Sequence, residues 1–125
     1  MSAPIIINSG LPSVFLLSRI TAISPDEIRG TATFNGKAVF TLIEALAQLG
    51  AFHIRKVEGF QRQVFLMKVG QCTLPQPLPT AGPLDLTGKV TGQSDRSFVY
   101  RLCAERQGEV VMAGEFWFST VDYDE

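Results

Sequence analysis

Reactive side chains are scarce in this chain of 125 residues: it has one histidine, His53, and two cysteines, Cys72 and Cys103. A lone imidazole argues against a zinc site built on two histidines. It leaves acid–base chemistry to carboxylates or to His53 itself. The cysteines form neither a CxxC pair nor a metal-ligand spacing. With no basic n-region in residues 1–10 and no export signal, they read as free thiols of a cytoplasmic protein. Charge is also sparse, at 18% of residues, and nearly balanced at a net -1. That gives no electrostatic footprint for nucleic acid or an anionic membrane. No apolar run approaches the roughly 20 residues of a membrane span. No helix-turn-helix, metal site or cofactor motif is apparent.

Apolar residues are abundant, at 46%, with nine Phe. This is enough for a core, and the length predicts one domain over residues 1–125. Residues 11–23 read as a strand or its lead-in, and Ser24-Pro25-Asp26 as a turn. In residues 27–34, Ile28, Gly30, Ala32 and Phe34 alternate with Glu27, Arg29, Thr31 and Thr33, the pattern of a half-buried strand. From Val39 to Ile54 apolar residues cover nearly every direction of a helix of about 4 turns. Only Thr41, Glu44, Gln48 and His53 interrupt them. A helix apolar all round is a buried one.

Strand patterns return over 62–73. A stiff loop with Pro75, Pro77, Pro79 and Pro83 follows. Three alternating runs over 84–92, 98–105 and 110–118 then form an antiparallel meander. Phe65, Met67, Phe116 and Phe118 read as core, and the two cysteines as small buried hydrophobes. The expected class is α+β, an antiparallel sheet wrapped on one central helix. Its open edges predict a homodimer.

Particular residues narrow this. Leu11-Pro12, Phe15-Leu16-Leu17 and Arg19 resemble the opening of β-hydroxyacyl-acyl carrier protein dehydratases, which have the hot-dog fold. Leu42-Ile43-Glu44-Ala45-Leu46-Ala47-Gln48 resembles the helix motif of that family, and Lys68-Val69-Gly70 through Pro83 its third segment. The resemblance spans roughly residues 11–118. It implies a 3-hydroxyacyl-thioester lyase of fatty-acid or polyketide-type metabolism. Its partner would be an acyl thioester on acyl carrier protein or coenzyme A, with no metal and no cofactor.

Under the resemblance, Glu44 takes the place of the catalytic carboxylate and Gln48 that of the motif glutamine. Thr33, Phe34, Gly36, Val39 and Phe40 fall in the substrate-binding stretch. The family histidine does not carry over. Thr33 stands where it belongs, and the segment from Phe34 to Glu44 is about three residues shorter than the family pattern. Dehydration needs a base for the α-proton and an acid for the leaving hydroxyl. Thr33 takes up no proton near pH 7, and His53 lies about half a turn around the helix from Glu44. The implied activity is therefore weakened, altered or absent.

Two alternatives stay open: a thioesterase whose helix carboxylate activates water or attacks the carbonyl, and a non-catalytic dimerisation or ligand-binding subunit. Lys37, Arg55 and Lys56 are placed to meet an acidic carrier or a coenzyme A phosphate, or are simply solvated. His53 reads as a helix-end packing residue, and Gly36 either as a turn glycine or as a close approach to the thioester.

Overall fold

The computed structural model describes residues 17–34, 39–73 and 81–122, except the side chains of Val39 and Phe40. Six strands and one helix follow in the order β1 (Leu17–Ile23), β2 (Glu27–Phe34), α1 (Val39–Val57), β3 (Arg62–Thr73), β4 (Gly82–Gln93), β5 (Ser97–Arg106) and β6 (Glu109–Asp122). They build one antiparallel sheet in the order β1-β2-β4-β5-β6-β3. Strands β2 and β3 match the sequence expectation. Of the expected first strand, residues 11–16 lie outside the described residues, as does most of the proline loop.

Alternation decides which face meets the helix. Ile28, Ala32 and Phe34 of β2, Leu84 and Leu86 of β4, Phe98, Tyr100 and Leu102 of β5, and Met112, Phe116 and Phe118 of β6 are all buried. The helix lies on this face and is buried around most of its circumference, including Leu42, Ala45, Leu46, Ala47, Leu49, Ala51 and Ile54. Glycines let it approach closely. A Cβ on Gly50 would stand 2.7 Å from the ring of Phe118, and one on Gly30 3.2 Å from Leu49. No helix among the described residues is long and apolar enough to cross a membrane.

Besides the strand ends, where Pro83 joins β4 opposite Thr33 instead of the loop and β6 runs on to Asp122, two details depart from the sequence reading. The helix runs three residues past Ile54, because Arg55 and Lys56 are good helix formers that suit the negative end of the dipole. It stops at a Schellman motif. Gly59 takes φ 67°, Phe60 N–H donates to Arg55 C=O at 2.7 Å, and Gly59 N–H donates to Lys56 C=O at 3.2 Å. The second departure concerns Phe65 and Met67, expected in the core beside Phe116 and Phe118. They are 37% and 65% exposed, and Leu66 is 40% exposed. Strand β3 is at the sheet edge, and its register with β6 shifts between Leu66 and Lys68. The bulge and the edge position together deprive these side chains of a covering layer.

Candidate functional site

At the end of the sheet where α1 begins, β2 and β4 finish side by side, with Thr33 opposite Pro83 and Phe34 opposite Gly82. Ala32, Thr33, Phe34 and Leu84 form one wall of a cleft there. Thr41, Leu42 and Ala45, from the first two turns of α1, form the other. Its interior holds about 20 Å³. This is room for about one water. Thr33 and Phe34, both assigned to substrate binding from sequence, thus share the cleft with Thr41. In the sequence Thr41 stood out only as one of four polar interruptions of the apolar helix.

Glu44 does not line this cleft. It sits about 60° around the helix from Thr41. It is half-buried and next in sequence to Ala45 of the cleft wall. Gln48, one turn further on, is 4% exposed. Thr41, Glu44 and Gln48 are therefore not a solvated face of the helix. Gly36 lies outside the described residues, as do the side chains of Val39 and Phe40. The first-turn N–H groups of any α-helix have no partner within the helix. Those of Val39 to Leu42 add the positive end of the dipole to this end of the molecule.

His53 is far from this region, about 13 Å further along the helix axis than Glu44. It is fully buried. Its Nε2 lies 2.7 Å from the carbonyl of Ser24, which can only accept, so Nε2 holds the proton. Nδ1 then accepts from the hydroxyl of Tyr100. The imidazole ties the β1–β2 turn to α1 and β5, the packing role expected of it. The tie was not legible in sequence, because Ser24 and Tyr100 are 29 and 47 residues away.

Tyr100 shares this buried contact with His53, away from the cleft. Burial, and then the Glu58 carboxylate, push its phenol far above the ordinary value. Burial likewise raises the thiols of Cys72 and Cys103, and Glu105 adds to the effect at Cys103. Both are thus poor nucleophiles near neutrality. Among the described residues, no group of three or more His, Cys, Asp or Glu side chains could hold a metal ion.

No family profile and no curated protein matches the sequence. Solved structures do match the fold. A thioesterase variant from Pseudomonas aeruginosa superposes with a TM-score of 0.71 at 10% identity, over 83% of this chain and 81% of that one. A thioesterase from Haemophilus influenzae gives 0.71 at 11% identity, over 85% and 79%. A dehydratase heterocomplex from Xenorhabdus doucetiae gives 0.70 at 18% identity, over 88% and 85%. The chain has the hot-dog fold, and the solved structures similar to it include both thioesterases and a dehydratase complex.

Proposed function

We propose that this protein is an acyl-thioester hydrolase acting through Glu44. The observation behind this is a half-buried helix carboxylate, Glu44, one turn before the buried Gln48 on the same helix whose first two turns wall the cleft, in a chain whose only imidazole is bonded at both nitrogens elsewhere. Hydrolysis needs one base, whereas dehydration needs a base and an acid at separate atoms.

In the proposed reaction, the Glu44 carboxylate takes a proton from water as the water oxygen bonds to the thioester carbonyl carbon. Helix-start N–H groups stabilise the negative oxygen that forms. The C–S bond then breaks, and the departing sulfur receives the proton from Glu44. Gln48 orients the carboxylate. The products are a carboxylic acid and a thiol, from coenzyme A or a carrier-protein arm.

The dehydratase reading, to which the sequence resemblance led first, ranks second. The helix motif and the similarity in fold to a dehydratase complex favour it. The absence of a second proton-transfer group at Thr33 stands against it. A homodimer formed along the β3 edge is part of the proposal, since Phe65, Leu66 and Met67 give that edge an apolar surface. The test is to supply acyl-coenzyme A and 3-hydroxyacyl-coenzyme A and follow free thiol and enoyl formation separately. Thiol release without enoyl formation is the expected result. Enoyl formation without thiol release would reverse the ranking.

A further inference from the structure

We infer that the cleft between β2, β4 and the first two turns of α1 is the acyl pocket, and that it restricts this protein to short acyl groups of about two to four carbons. The inference rests on the acyl-thioester reading and adds the substrate class.

The cleft has the chemistry of an acyl subsite. Its walls are Ala32, Phe34, Leu42, Ala45 and Leu84, each no more than 4% exposed, and its hydroxyls are those of Thr33 and Thr41. A thioester carbonyl at the mouth would face the helix N-terminus, with its alkyl end toward Leu84. The interior takes about one methyl-sized group in addition to what stands in the mouth.

Beyond Ala45 a longer chain meets closed packing. Leu46 and Leu49 are fully buried. A Cβ added to Gly30 of β2 would lie 3.2 Å from Leu49 of the helix, and one added to Gly50 of the helix 2.7 Å from Phe118 of β6. A seam this tight at both glycines offers no path for an alkyl chain between helix and sheet there. Forcing methylenes into such packing is costly. The restriction comes from Leu84, Phe34 and Leu42 at the floor and from the glycine-seated helix behind it.

Two readouts separate this inference from the reading beneath it. Hydrolysis of acetyl-, butyryl-, hexanoyl- and decanoyl-coenzyme A gives the kcat/KM profile. Calorimetry with non-hydrolysable thioether analogues of the same lengths gives binding without turnover. The expected profile falls at least tenfold from four to ten carbons in both measurements. Leu84→Ala should move the optimum to longer chains. Ala45→Leu should weaken the butyryl analogue at least tenfold, with the fold checked by circular dichroism. Preferential binding of short analogues without hydrolysis supports the pocket and overturns the hydrolase reading. A decanoyl group bound or hydrolysed as well as a butyryl group overturns the pocket, as does failure of every analogue to bind.

Discussion

His53 and Tyr100 illustrate how burial removes residues from chemistry. The imidazole spends one nitrogen on the Ser24 carbonyl and the other on the Tyr100 hydroxyl, so neither ring atom is left to meet a substrate. The phenol is confined by the same contact and by burial. Its raised pKa has a consequence for stability. Above about pH 10 the phenol of the unfolded chain ionises while the folded one keeps its proton. The folded state then binds more protons, so stability falls as pH rises. Melting temperatures measured from pH 9 to pH 11 should decline, and Tyr100→Phe should flatten the part of the slope above pH 10. An unchanged slope in that variant would remove Tyr100 as its source. Glu44 is the contrasting residue: polar and half-buried, next to Ala45 of the cleft wall in sequence. Its position on the helix was legible because the motif fixes it. That Thr33 and Thr41 share a cleft was not, because it depends on how the end of β2 and the start of β4 meet the helix.

At the scale of elements, the helix and its seat decide what the sheet can hold. Apolar residues all round the segment predicted a buried helix. Gly30 was read only as a member of its alternating strand, and the seat it makes for the helix was not legible, since close approach depends on the opposing side chain. Gly50→Ala places a methyl against the buried Phe118 ring. It should destabilise the fold by about 1–3 kcal/mol. Urea unfolding would measure this, and a neutral change would show that the ring yields more easily than its burial suggests. Strand β3 was read correctly in extent and wrongly in environment. An apolar run such as Val64-Phe65-Leu66-Met67 looks the same in a core strand and at an edge. Only the strand order, with β3 outside β6, makes the distinction.

For the whole molecule, that edge carries the assembly prediction. Phe65, Leu66 and Met67 stand exposed on the outermost strand, beside Trp117 with Lys68 4.8 Å from its ring. If two copies pair along β3, Met67→Lys combined with Phe65→Lys should convert a dimer into a monomer in light scattering. An unchanged mass would place the interface elsewhere. The overall architecture was legible because strand and helix periods are distinct and the order of elements is specific. The chemistry was less so, because thioester dehydration and hydrolysis can share a helix carboxylate and differ in the residue opposite it.

The most direct measurement is free-thiol release from butyryl-coenzyme A by the intact protein and by its Glu44→Gln variant. Release by the unaltered protein, reduced ~10²-fold or more in a variant that melts at the same temperature, is the predicted result. No release, or release unaffected by the substitution, would contradict the assignment of Glu44 as the hydrolytic base.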